Sequence, residues 1–324
     1  MRRFGRLREG MGKPPRLLLG IRPVPTMVTL GNLLCGFGAI VLAMRAWSPP
    51  HAFYNFGKDD CLYWSGILIF AAMIFDVMDG KVARWTKTTS KFGMEMDSLS
   101  DVVSFGVAPA ALVKAMIDHW PNSAGAFPLL DRYVWPMLAI YVSCAALRLA
   151  RYNVEAQTGH RDFFFGMPSP GAAGCVASLA VLIIPGIHHP ALGQLQPLQQ
   201  QLSWLDELRK QVYAPVLIAL PFVMMFLGVL MVTRVHYPHL GDRLLRGRKS
   251  FMHVLVLGLI LVLIVMQHEV MLAVVFNSYM LYGLANEIRY QLFPGQRPAG
   301  WTTEEAATVP PVTPPAPAKE PDVE

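Results

Sequence analysis

The fold class this sequence predicts is all-α: a polytopic integral-membrane helical bundle of about eight transmembrane helices, within a range of six to eight. Three observations predict it. The chain of 324 residues is 53% hydrophobic and only 15% charged, too apolar for an ordinary soluble domain. Its apolar residues fall into separate runs, most of them near the ~20 residues that cross a hydrocarbon core. Its basic residues collect in alternate connections, as topology rules for membrane helices demand.

The runs cover roughly 26–46, 62–78, 98–117, 133–150, 170–187, 213–233, 251–267 and 270–289. The last two are divided only by His268 and Glu269, so they form a tight hairpin or a single helix. The N-terminal arm, residues 1–24, carries seven Lys or Arg within its first 22 residues against one Glu. It reads as a cytoplasmic segment, facing lipid headgroups or simply solvated. Its short apolar burst, Leu17–Leu19, is too brief for a signal-peptide core and runs into Pro23, which predicts an uncleaved N-terminus.

With eight crossings, 22 of the 28 Lys and Arg fall on the side that holds both termini. That side is predicted to be cytoplasmic, in the cell (inner) membrane; six crossings would place the same ends inside. The net charge of +6 is therefore topogenic, and no nucleic-acid partner is expected. Residues 25–290 form the transmembrane domain, and 291–324 a Pro-rich, acidic tail expected to be disordered. A Gln-rich stretch over 193–212, with spaced Leu and Trp204, predicts a short amphipathic helix on the outer surface. Cys35, Cys61, Cys144 and Cys175 have no paired spacing and read as small core residues.

The chemistry concentrates between Asp76 and Asp101. Asp76 and Asp79 are three residues apart, and Asp97 and Asp101 four, so on helices each pair shares a face. The pairs stand at the facing ends of the second and third apolar runs. Ionisable groups at membrane depth are costly and line functional cavities. Four carboxylates together call for cations, and hard oxygen ligands suit Mg²⁺ or Mn²⁺. Between the pairs, Gly80 and Ala83 leave room for a ligand to approach the backbone, and Arg84 offers a planar fork for phosphate. This set suits a metal-bound pyrophosphate. The plainer alternative pairs each Asp with a nearby cation such as Lys81, Lys87 or Lys91.

The full spacing, D-x-x-D-G-x-x-A-R-x8-G-x-x-x-D-x-x-x-D, resembles the signature of the CDP-alcohol phosphatidyltransferases at Asp76, Asp79, Gly80, Ala83, Arg84, Gly93, Asp97 and Asp101. The resemblance implies a membrane enzyme that moves a phosphatidyl group from a CDP-linked lipid to an alcohol and releases CMP. It implies that the four aspartates hold two divalent ions, with Asp101 as ligand or general base, and that Gly80, Ala83 and Arg84 contact the CDP moiety. It also implies a homodimer.

Two further stretches are similar to the phosphatidylserine-synthase branch of that superfamily. One is the opening of the first run, Thr29-Leu-Gly-Asn32-Leu-Leu-Cys-Gly36-Phe37. The other comprises Arg148-Leu-Ala-Arg151-Tyr-Asn153 and Gly166-Met-Pro-Ser169-Pro170. Gly171 stands next, where alanine is more usual. The expected substrates are CDP-diacylglycerol, reached from the membrane lipid, and L-serine. Arg148 and Arg151 would receive the serine carboxylate, or else anchor the helix end. Asn153 and Ser169 would hydrogen-bond the substrate, while Pro168 and Pro170 start the next helix. Asn32 points toward the nucleotide or bonds a neighbouring helix. Other acceptors (glycerol phosphate, inositol phosphate, choline), a divalent-cation transporter, and a scaffold acting through the tail are the competing readings.

Overall fold

The computed structural model describes residues 23–46, 57–85, 91–119, 128–157, 166–184, 203–233 and 268–293. The basic arm up to residue 22, the seventh apolar run (251–267) and the Pro-rich tail lie outside the described residues. The described residues are helical, with no strand among them. The chain divides into two packing units, Met1–Gly283 and Leu284–Glu324. The second is described only as the closing turns of the last helix.

In chain order the helices are α1 (Pro23–Arg45), α2 (Lys58–Trp85), α3 (Lys91–Asp101), a π-helical turn (Val102–Val107), α4 (Ala108–His119), α5 (Pro128–Gln157), α6 (Ser169–Ile183), α7 (Ser203–Val232) and α8 (His268–Leu292). The stretch from α3 through α4 is one continuous rod. Five of the described helical stretches are long and apolar enough to cross a membrane: Met27–Arg45, Lys58–Val82, Phe92–His119, Arg132–Val154 and Gln211–Val232. The fold is a polytopic membrane helical bundle.

Local chemistry explains the helix ends. Proline opens α1 and α5, where its missing N–H would be unpaired anyway. At α2, Asp60 accepts the backbone N–H of Gly57 at 2.8 Å, half of a capping box, and Asp59 and Asp60 complement the positive end of the helix dipole. Before α6, Gly166 adopts φ +86°, and a Cβ there would lie 2.2 Å from the Met231 carbonyl oxygen. Only glycine permits that turn, which presses the chain onto the end of α7, where Met167 N–H bonds Leu230 O at 3.3 Å. Pro168 then caps α6, and Pro170 falls in its first turn.

Helix α6 is shorter than a full crossing and almost wholly buried, as expected of a helix with no polar face. Its small residues admit neighbours closely. A Cβ on Gly174 would meet the Phe276 ring at 2.2 Å, and one on Gly66 of α2 would meet Val181 at 2.6 Å. The outward side of α1 is apolar throughout, with Met27, Leu30, Leu34, Phe37, Val41 and Met44 exposed, as a lipid-facing stripe requires.

One expectation is corrected. The stretch around Trp204 is not a separate surface helix; from Ser203 the chain is already in α7 and continues without a break to Val232. No glycine interrupts 203–227, and Pro215 and Pro221 are carried inside the helix. Membrane helices tolerate such prolines because neighbouring helices re-satisfy the freed backbone groups.

Candidate active site

Three helices converge at the acidic stretch. Helix α2 brings Asp76 and Asp79 on one face, α3 brings Asp97 and Asp101 on one face, and α1 packs against both. Carboxylate oxygens of Asp76, Asp97 and Asp101 all lie within 4.8 Å of one another. Asp79 is 7% exposed and accepts the Thr29 hydroxyl through Oδ2, while remaining in electrostatic reach of Asp76 and Asp97. Two carboxylates about 5 Å apart repel by about 3 kcal/mol at an effective dielectric near 20. A trio so arranged is relieved by cationic charge beside it or by taking up protons.

Part of that charge comes from α5. Arg148 acts electrostatically on both Asp101 and Asp76. One guanidinium cannot neutralise four carboxylates, and the donor set, all hard oxygens, fits Mg²⁺ or Mn²⁺ better than softer metals. Asp76, Asp97 and Asp101 are therefore placed so that they could hold a divalent metal ion.

Helix α1 holds the cluster in shape. Thr29 and Asn32, three residues apart, face α2 and α3 together. Asn32 is wholly buried, and its Nδ2 donates to Asp101 Oδ1 at 3.0 Å. The backbone takes part in the same seam: Ser100 Oγ donates to Thr29 O at 3.2 Å, and Ser104 Oγ to Asn32 O at 3.0 Å. The Asn32 Oδ1 and Arg148 Nε atoms are buried without a partner. Orphaned polar atoms beside a charged cluster mark a place where polar ligands belong.

Gly80 is exposed, and a Cβ built on it would meet nothing within 4 Å. Packing therefore does not require glycine there. Ala83 and Arg84 fall in the last turn of α2, with their side chains outside the described residues. Gly93 lies in the first turn of α3.

The predicted acceptor residues divide. Arg148 Nη1 donates to Ser169 Oγ at 2.9 Å, joining the end of α5 to the start of α6. Asn153 is tied to α3: its Nδ2 donates to Ser98 Oγ at 2.9 Å, one residue from Asp97. Arg151 is half-buried on α5.

Other participants escaped the sequence reading. Thr29 occurs in the quoted motif, but nothing in the sequence says its hydroxyl meets Asp79. Tyr279 of α8 is in electrostatic reach of Arg148 and would lie 3.4 Å from a Cβ on Gly171. The π-turn directly after Asp101 is the third, and Pro109 was its available signal.

Fold and site together define a membrane-embedded helical enzyme with a carboxylate cluster shared by two helices. The CDP-alcohol phosphatidyltransferase family model matches residues 22–206, the part of the chain that holds the whole cluster. The chain belongs to the CDP-alcohol phosphatidyltransferase family and is a transferase. It is 32% identical over 217 residues to the CDP-diacylglycerol–serine O-phosphatidyltransferase of Helicobacter pylori, covering 67% of this chain and 76% of that one. It is 30% identical over 223 residues to the enzyme of the same name from Methanocaldococcus jannaschii, covering 68% and 83%. The Saccharomyces cerevisiae enzyme of that name is 34% identical over 167 residues, covering 49% and 54%.

Proposed function

We propose that this chain transfers the phosphatidyl group of CDP-diacylglycerol to L-serine, giving phosphatidylserine and CMP in phospholipid biosynthesis. The observation that carries the reading is the cluster itself: carboxylates of the matched signature converge between α2 and α3, and a Cβ on the exposed Gly80 would meet nothing within 4 Å. The relatives' shared name points to serine as the acceptor. Arg148, a buried cation with an unpaired N–H beside Asp101, supports it by offering a seat for the amino-acid carboxylate.

Asp76, Asp79, Asp97 and Asp101 would hold two divalent ions, Mg²⁺ or Mn²⁺. Such ions supply charge neutralisation at the pyrophosphate oxygens and polarise the bond to be broken. The lipid enters sideways from the membrane, with its cytidine end against Gly80, Ala83 and Arg84. Asn32 lines the nucleotide side and fixes Asp101 through its Nδ2 bond. Serine arrives from the cytoplasm, its carboxylate toward Arg148 and Arg151, with Asn153 and Ser169 hydrogen-bonding the substrate. Asp101 takes the proton of the serine hydroxyl. The serine oxygen attacks the lipid-side phosphorus, the bond from that phosphorus to the CMP oxygen breaks, and CMP leaves. Rate enhancement comes mainly from positioning and charge stabilisation.

The basic-residue asymmetry supports a location in the inner membrane with both termini and this site on the cytoplasmic face. A homodimer is the expected assembly.

The test is CMP release by purified protein in detergent, given CDP-diacylglycerol and Mn²⁺ or Mg²⁺, with and without L-serine. Serine-dependent, chelator-sensitive CMP is the expected result. Release only with another alcohol would keep the reaction class and discard serine as the acceptor.

A further inference from the structure

Pro109 lies inside the continuous rod that begins with α3. A proline there cannot donate to the Phe105 carbonyl four residues earlier, and its ring crowds that oxygen. The chain answers with the π-turn Val102–Val107, where the Ala108 N–H reaches back to Val103 O. Two neighbouring helices hold this turn. Tyr141 of α5, 0% exposed, donates its hydroxyl to Phe105 O at 2.8 Å, the carbonyl deprived by Pro109. On the other side, Ser104 donates to Asn32 O. Gly36 lets α1 approach so closely that a Cβ there would lie 2.7 Å from Ser104 Cα.

The turn starts at the residue after Asp101. Changing its register by one residue rotates α3 by about 100° relative to α4. Helix α4 is buried almost continuously from Ala108 to Ile117, so the rotation would fall on Asp101 and Asp97 instead. We propose that Tyr141 is a positioning residue for the carboxylate cluster: its hydroxyl on Phe105 O holds the π-turn in the register that keeps Asp101 beside Asp76 and Asp97. This rests on the reading of the cluster as a divalent-metal site.

The experiment is Mn²⁺ binding to the purified full-length protein without substrate, monitored by loss of the free-ion electron paramagnetic resonance signal. Tyr141→Phe removes only the hydroxyl and should weaken Mn²⁺ binding several-fold. Ser104→Ala should move affinity in the same direction. Ser178→Ala deletes another buried hydroxyl, bonded to Cys175 O at 2.9 Å in α6, and should bind as the wild type does. The serine KM of Tyr141→Phe at saturating Mn²⁺ should stay at the wild-type value. Unchanged affinity in a folded Tyr141→Phe protein overturns the proposal, as does an equal loss in Ser178→Ala. Should Tyr141→Phe fail to fold, Ser104→Ala decides, and unchanged affinity there overturns it. A wild-type protein that binds no Mn²⁺ sinks the metal reading itself, a result distinct from wild-type binding with unchanged variants.

Discussion

The α2–α3 half of the site gathers like charges, whereas the α5–α6 half pairs unlike groups with one another. Asp76, Asp97 and Asp101 face each other within 4.8 Å; Arg148 bonds Ser169, and Asn153 bonds Ser98. On the proposed function, the first half is completed by divalent cations. In the second, Arg148 Nη1 and Asn153 already have partners, the latter on α3, while Arg148 Nε has none, so a ligand arriving there finds one open N–H and competes for the rest. Removing a group from the first half should abolish turnover, while removing one from the second should change affinity for the acceptor.

The largest effect tests the first half. Asp97→Ala should lower CMP release by at least about a thousandfold, the scale of losing a main electrostatic element of catalysis. The protein should remain inserted and melt near the wild-type temperature. Wild-type-like activity in this variant would sink the metal-cluster reading. The next tests the second half. Arg148→Lys keeps the charge and loses the planar fork. It should raise the serine KM by about tenfold to a hundredfold, the range of 1.5–3 kcal/mol for a charged hydrogen bond. Mn²⁺ affinity should move far less. Equal losses in both would mean that Arg148 serves the cluster rather than the acceptor.

Two glycines sharpen the comparison further. Gly80→Ala adds a methyl where no atom lies within 4 Å, so stability should hold or rise by up to about 1 kcal/mol from helix propensity. The KM for CDP-diacylglycerol should nevertheless rise several-fold. Gly174→Ala puts a methyl 2.2 Å from the Phe276 ring. It should cost about 1–3 kcal/mol in stability with little change in KM. A melting curve and a CDP-diacylglycerol titration on both variants separate ligand space from packing space. The ligand reading of Gly80 fails if the alanine variant binds substrate as the wild type does.

How far the sequence spoke depends on how local each feature is. Asp76 to Asp101 lie within 26 consecutive residues, so helical spacing alone aligned them in pairs. The facing of Thr29 against Asp79, 50 residues apart, depends on how α1 packs on α2, and no spacing encodes that. Asn32 was readable as a polar group in an apolar helix but not its partner; its Nδ2 bonds Asp101 of α3, while its Oδ1 has no partner. Pro109 was an available but unused sign of a disturbance in the rod. Its consequence, a π-turn completed by Tyr141, required a partner from α5. The stretch around Trp204 misled because its polar residues suggested a surface element, whereas the chain from Ser203 is one helix that carries Pro215 and Pro221 within it.

The smallest effect expected concerns Thr29, which sits 3% exposed between α1 and the cluster. Its hydroxyl is given to Asp79, and its carbonyl receives Ser100. Thr29→Val preserves the shape and removes only the donor, leaving the buried Asp79 oxygen one hydrogen bond short. Thr29→Ser keeps the donor and loses a methyl. If Thr29 orients Asp79 for a metal, the valine variant should need several times more Mn²⁺ for half-maximal CMP release, up to about tenfold, and the serine variant should recover nearly all of that loss. If the hydroxyl merely satisfies a buried carboxylate, the valine variant should instead lose about 1–3 kcal/mol of stability at an unchanged metal requirement. Measuring the Mn²⁺ dependence beside the melting temperature distinguishes the two, because a folding defect lowers the number of active molecules without altering what each one needs. The charged half of the site would then extend to α1, with Asp79 held in place by the helix that also steadies Asp101.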